Sequence, residues 1–168
     1  MKGMSTLSPD AAKVSPRHMG AKKDFKEMPK DFRLHHVGVI VADLGKAATE
    51  YCKRYGYVIK SPVMEDPIQT ARAQFLKLEG DSTYLELLVP CGIDSKLSNA
   101  FQKGRRLNHM CYVVSEIEAA CVMLRDEGLR LLQKPIEAVP FHPRRIAWVM
   151  GSDGIPVELV EPGEDWWA

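Results

Sequence analysis

No apolar run in this chain approaches the roughly 18 residues that a membrane-spanning helix needs. An excess of charge of one sign is missing too. With 23 Lys and Arg against 22 Asp and Glu, the formal net charge is +1. That leaves no electrostatic footprint for nucleic acid or for an anionic lipid surface. Cysteine is sparse: Cys52, Cys91, Cys111 and Cys121 show no CxxC spacing and sit inside apolar stretches. This speaks against a disulfide framework or a thiolate zinc site, and for reduced thiols in a cytoplasmic setting. What remains is an ordinary globular composition, 45% apolar and 27% charged. Its 168 residues suffice for one domain, or for two half-domains sharing a core.

Residues 1–31 lack helical or strand periodicity and are rich in Lys, Pro and Ser. They also lack the apolar centre of a secretory signal. The expectation is a flexible N-terminal extension. A transit peptide is the alternative, because Met1–Lys23 holds a single acid, Asp10. A single arginine in that stretch, Arg17, and no clear amphipathic face weigh against it.

The rest of the chain is written twice. "RLHHVGVIV" begins at Arg33 and "RLNHMCYVV" at Arg106, an offset of 73. In the first copy His35, Val37, Val39 and Val41 alternate with Leu34, His36, Gly38 and Ile40, and this period of two predicts a strand. On that alternation His35 faces away from His36 and stays outside any site built there. Asp43 then caps a helix whose apolar stripe is Leu44, Ala47, Ala48, Tyr51, Cys52 and Tyr55, closed by Gly56. In the second copy Ser115 and Glu118 form a capping box, Ile117, Ala120, Cys121 and Leu124 form the stripe, and Gly128 closes it.

Short strands are expected after each helix. They fall at Tyr57–Ser61, Ala71–Leu78 and Thr83–Val89 in the first half, and at Leu129–Gln133, Arg145–Met150 and Ile155–Val160 in the second. "YLELLVP" and "IPVELVEP" close the two halves. Each half reads β-α-β-β-β, as modules 33–90 and 106–162 joined by a linker helix at about 95–103. The expected fold class is α+β, with the two modules paired into a curved mixed sheet around a central cleft. The domain spans 32–162, with a C-terminal tail at 163–168.

Each copy carries a histidine on its first strand and a glutamate on its last: His36 with Glu86, and His109 with Glu158. A lone strand histidine is usually a hydrogen-bonded structural residue, and a glutamate within "LEL" can simply face solvent. Repetition singles these four out, because structure explains repeated valines but gives no need for a repeated His and Glu. If first and last strands lie close in each half, pseudo-twofold pairing brings all four into one cleft. Two neutral imidazoles and two carboxylates suit a divalent ion such as Zn, Co, Ni, Fe or Mn better than Ca.

The strings "HHVGVIVADLGKAATEY", "EDPIQTARAQFLKLEGDSTYLELLVP", "GRRLNHMCYVV" and "GLRLLQKP" resemble the vicinal oxygen chelate superfamily, which pairs such modules around a metal. The resemblance covers about Leu34 to Pro162, and the methylmalonyl-CoA epimerase-like branch looks closest. It places the family's metal ligands on His36, Glu86, His109 and Glu158, and it implies a resident divalent ion (Co, Zn, Ni or Mn). The implied activity is an isomerase that moves a proton next to the carbonyl of an acyl thioester such as methylmalonyl-CoA. Two departures stand out. Ala73 occupies a position where some bacterial epimerases carry a glutamate base, and the final hairpin, "MGSDGIPVELVEP", is shorter.

On this reading Glu158 is both ligand and candidate base, with Glu86, Glu65 or Gln69 as the second acid. A glyoxalase-type lyase acting on a glutathione hemithioacetal is the enzymatic alternative. An extradiol dioxygenase fits less well, since that chemistry favours two His and one carboxylate on Fe(II). A metal-free binding module of the same fold is the alternative from another class. The resemblance also implies a possible homodimer. Arg144 and Arg145 are candidates for a phosphate or carboxylate at the cleft mouth, with a solvated basic loop as the favoured reading, and Arg105 and Arg106 carry the same pair of readings. His142 reads as a loop residue, Cys111 as core filler on the His109 face, and Trp166 and Trp167 as a core cap or a subunit contact.

Overall fold

The computed structural model describes residues 31–168; apart from Asp31, the expected N-terminal extension lies outside the described residues. In the first half β1 (Arg33–Ile40) leads into α1 (Leu44–Tyr55), then β2 (Val58–Ile59), β3 (Met64–Asp66), β4 (Ala71–Lys77) and β5 (Tyr84–Pro90). A short helix, α2 (Ser98–Gln102), links to β6 (Leu107–Val113), α3 (Ile117–Asp126), β7 (Arg130–Glu137), β8 (Arg145–Met150) and β9 (Pro156–Val160). The α+β class holds. The unexpected element is β3, which is too short for a periodicity to register and is defined by its pairing with β4.

Local chemistry sets the first helix. The Asp43 side chain accepts from the Lys46 amide at 2.8 Å, and Gly56 ends the helix at φ 77°. The second helix departs from expectation. Its N-cap is Glu116, with no side-chain cap bond. Ser115 pairs with Asp31 and Glu118 with Arg145, so no capping box forms. The tertiary partners outcompete the local motif.

All strands belong to one nine-stranded sheet, ordered β2-β4-β5-β1-β6-β9-β8-β7, with β3 paired to β4 off this path. β1 runs parallel to β5 and β6 parallel to β9, while β1 and β6 pair antiparallel at the centre. That central pair joins the two halves. Its register is interrupted twice. Leu34 and His36 face Tyr112 and Cys111, so His35 is an extra residue. Gly38 and Val39 face His109 and Leu107, so Asn108 is the matching extra residue on the other strand. Each is a β-bulge, and the two occupy equivalent positions of the repeat.

The two faces of the sheet are packed differently. Leu76, Leu85, Leu87 and Val89 pack with Leu44 and Ala48 of α1. Ala147, Val149 and Leu159 pack with Ile117, Ala120, Cys121 and Leu124 of α3. The opposite face carries Met64, Phe75, Cys111, Phe141, Ile146 and Val160. Trp167 closes this second core: its ring stacks on Phe75 at 4.5 Å and its Nε1 donates to the Pro140 carbonyl at 2.8 Å. Trp166 is 54% exposed and donates to the Val139 carbonyl.

Arg144 does not lie in a solvated loop. It is buried, it pairs with Asp165, and it donates to the Glu161 and Gly163 carbonyls. Arg145 bonds Glu161 and Glu118 instead. Both arginines therefore serve intramolecular pairs. His142 is exposed beside Glu137, as a loop histidine should be.

Replacing Asp43 with Ala should cost about 1 kcal/mol of stability, read by urea denaturation. Asp165 offers a pH test. Burial opposes its charge, but His35 and Arg144 outweigh this and hold its pKa below 3.8. A carboxylate depressed in the folded state adds stability above its unfolded pKa and loses it as pH falls through the folded value. The stability gap between wild type and Asp165→Asn should therefore be full at neutral pH, about 3 kcal/mol for a buried pair broken on one side. It should close on acidification below about pH 4.

Candidate metal centre

The four residues singled out by the repeat meet at one point. β1 supplies His36, β5 Glu86, β6 His109 and β9 Glu158, and all four are buried. The strand registers explain why: Gly38 stands beside Glu86 and opposite His109, and Cys111 stands beside Glu158 and opposite His36. Nε2 of His36 is 2.8 Å from Nε2 of His109. The Glu86 Oε2 atom is 3.4 Å from the first nitrogen and 3.3 Å from the second. The Glu158 Oε2 atom is 3.3 and 3.6 Å from the same two.

Neighbours fix the rings. Phe75 meets His36 edge-on at 5.2 Å, and Trp148, its counterpart in the repeat, meets His109 edge-on at 4.8 Å. Phe141 stacks on His36 at 5.8 Å. Gly38 is required by close approach: a Cβ there would stand 2.3 Å from the His109 ring. Cys111 takes the equivalent place beside His36, and burial pushes its thiol pKa up, so it stays neutral.

The charge balance is the informative feature. Two carboxylates sit in a place with almost no solvent, and Glu86 Oε2 has no hydrogen-bond partner. Burial opposes ionisation of Glu86, yet the facing imidazoles hold its pKa down at about 2. Burial likewise opposes a charge on His36, and the surrounding acidic groups raise its pKa well above 6.5. The cluster therefore demands positive charge, from protons or from a cation. Donors bound to one ion at about 2.0–2.2 Å stand about 3.0–3.5 Å apart, close to the separations here. His36, His109 and Glu158 each offer one donor atom, and these three lie within 4.8 Å of one another; Glu86 stands outside that group but reaches both rings. The donor chemistry and the charge fit a divalent ion, with these three as the tightest set.

Above the cluster lies a cavity of about 330 Å³ bounded by both halves. Its walls are mainly apolar, with Ala73, Leu88, Leu97, Ile146, Trp148 and Pro156 among them, while Glu86, His109 and Glu158 reach its floor. Gln69 lines it, whereas Glu65 is exposed and the neighbouring acid on the cavity side is Asp66. Asp66 accepts from the Ile68, Gln69 and Val139 amides, which ties its oxygens to backbone. The pattern "DPIQ" carries the Asx-turn signal for this acid.

His35, which strand alternation puts on the far face, is buried on this side instead, with its Nδ1 2.9 Å from Nδ1 of His36. The bulge is the reason: an extra residue breaks the alternation on which the exclusion rested. Its Nε2 reaches Asp165 at 3.2 Å.

A pair of β-α-β-β-β modules joined through their first strands, with two His and two Glu at the junction, defines a class of protein. Residues 35–148 match the glyoxalase/bleomycin resistance protein/dioxygenase superfamily, and the chain belongs to that superfamily. Among individual relatives, it is 30% identical over 131 residues to the ethylmalonyl-CoA/methylmalonyl-CoA epimerase of Cereibacter sphaeroides, covering 76% of this chain and 96% of that one. It is 32% identical over 131 residues to the mitochondrial methylmalonyl-CoA epimerase of Mus musculus, covering 76% and 71%. The structure also aligns with methylmalonyl-CoA epimerase from Mycobacterium tuberculosis at TM-score 0.66 and 27% identity, over 78% of this chain and 88% of that one. A more distant relative, the lactoylglutathione lyase of Schizosaccharomyces pombe, is 26% identical over 151 residues, which is 79% of this chain and 48% of that protein.

Gly38→Ala should destabilise the protein by about 1–3 kcal/mol through overpacking against His109. Combined with His109→Ala the clash disappears, so the double variant should be no less stable than His109→Ala alone. Urea denaturation of the three variants measures this coupling.

Proposed function

We propose that this protein is a divalent-metal-dependent epimerase acting next to the carbonyl of an acyl thioester, with methylmalonyl-CoA as the leading candidate substrate. The observation that carries the reading is the convergence of His36, Glu86, His109 and Glu158, the last three of which reach the floor of a cavity shared by both modules. These four residues would hold the ion. The chemistry such an ion would supply is Lewis-acid polarisation of the substrate carbonyl, which would acidify the adjacent C–H.

The chain's own groups supply the rest. Ala73 offers no base from β4, and the Asp66 oxygens are engaged by backbone amides. Glu158 and Glu86 are therefore the carboxylates placed to take the α-proton and to return one to the opposite face. The apolar walls would exclude water from the reacting carbon, and Lys96 is the cationic residue on the cavity lining that an anionic carrier would meet. Redox-neutral work suits a donor set of two His and two carboxylates. The lyase reading uses the same set on a glutathione hemithioacetal, and the similarity to the yeast lyase keeps it as the alternative.

The deciding experiment reloads metal-stripped protein with Co²⁺, Ni²⁺, Zn²⁺ or Mn²⁺ and supplies methylmalonyl-CoA in deuterated water. The expected outcome is deuterium at the α-carbon, lost together with bound metal in His109→Ala. Exchange by a metal-free His109→Ala protein would overturn the reading. No exchange with any ion, alongside turnover of a glutathione hemithioacetal, would move the assignment to the lyase.

A further inference from the structure

The residue before each donor histidine differs between the copies: His35 precedes His36, and Asn108 precedes His109. Strand alternation would send both to the helix side of the sheet. The paired β-bulges bring both back. Asn108 Oδ1 lies 2.8 Å from His109 Nδ1, and His35 Nδ1 lies 2.9 Å from His36 Nδ1. In each copy the ring nitrogen turned away from the donor cluster is held by the preceding side chain.

In the first copy the chain of contacts runs further. His35 Nε2 lies 3.3 and 3.2 Å from the two Asp165 oxygens. Arg144 pairs with Asp165 in turn and is itself tied to two carbonyls of the tail segment. An ionised carboxylate can only accept, so His35 Nε2 carries the proton. For His36 to offer Nε2 to a cation, its ring proton sits on Nδ1, and His35 Nδ1, 2.9 Å away, is then the acceptor. That leaves Nε2 of His36 as the atom facing His109, Glu86 and Glu158. Cys111 also stands close to both rings, but a thiol sulfur is a weak acceptor and does not displace a ring nitrogen.

We infer that His35 and Asp165 are positioning residues, which set the tautomer and the ring orientation of His36 for a divalent cation, as Asn108 does for His109. The inference rests on the metal reading of the site. It gives the C-terminal segment a part in the centre. Asp165 acts on His36 through His35, and Trp167 acts through Phe75, which stacks under it and meets the His36 ring edge-on. The two copies therefore orient their histidines differently, one by a local amide and the other by a relay ending beyond the last strand.

The test reads proton positions and metal affinity separately. Long-range proton–nitrogen correlation spectra of labelled wild type should place a proton on His35 Nε2 and on His36 Nδ1, with His35 Nδ1 bare. These positions hold whether or not His36 Nε2 is protonated. A proton on His35 Nδ1 overturns the inference. His35→Phe keeps a ring and removes both nitrogens. Its Zn²⁺ affinity, measured by competition with a chromophoric chelator, should fall about 10–100-fold. The visible spectrum of its Co²⁺ form should change as well.

Asp165→Asn keeps an acceptor without the charge and should show a smaller loss. It serves in place of His35→Phe if that variant fails to fold. Unchanged affinity and an unchanged Co²⁺ spectrum overturn the inference alone. Wild type that binds no divalent ion overturns the metal reading and this inference with it. Two ions per chain, one of them abolished by Cys111→Ser, would also overturn it, because the paired Nδ1 atoms would then be a metal site.

Discussion

Antiparallel pairing of β1 with β6 is the contact on which the rest of the structure depends. Each half of the chain builds a small sheet with one face covered by its own helix, and neither half has a second layer for its other face. Joining the first strands makes one continuous sheet and puts those two faces side by side. The same act places His36 opposite Cys111 and Gly38 opposite His109, with Glu86 and Glu158 on the flanking parallel strands. Core and candidate centre are products of one register.

That register comes with an electrostatic demand. Two carboxylates and two imidazoles converge with almost no solvent, an arrangement that is unfavourable without compensating positive charge. The surroundings are organised to hold the groups despite it. Phe75 and Trp148 edge against the two rings from equivalent positions, Phe141 stacks on one, and Gly38 clears space for the other. An apolar cavity opens directly above. Buried donors and an adjoining cavity thus stand together, and epimerases are among the chain's relatives.

The pseudo-symmetry is broken beside the candidate centre. Position 35 is His and its counterpart 108 is Asn; position 75 is Phe and its counterpart 148 is Trp. The first half's side of the cleft is filled by Met64, Phe75, Phe141 and Trp167. The second half's side keeps Trp148, Ile146 and Pro156 at the cavity wall. The C-terminal residues belong to this asymmetry, since Asp165 and Trp167 both pack against the first copy's histidine environment and have no equivalent after Pro90.

The sequence by itself determined the duplication, the α+β class, most strand and helix positions, and the four residues at the junction. Each is written in short-range periodicity or in exact recurrence at a fixed offset, which one chain displays without folding. Tertiary structure alone decided what those signals leave open. A bulge exists only relative to a partner strand, so His35 and Asn108 could be placed only once β1 met β6. Ser115 bonds Asp31 instead of capping α3, and Arg144 is buried against Asp165, because each meets a partner distant in sequence that no local pattern specifies. No local pattern specifies a three-residue β3 or a tail ion pair; these arise only when segments far apart in sequence are brought within hydrogen-bonding distance.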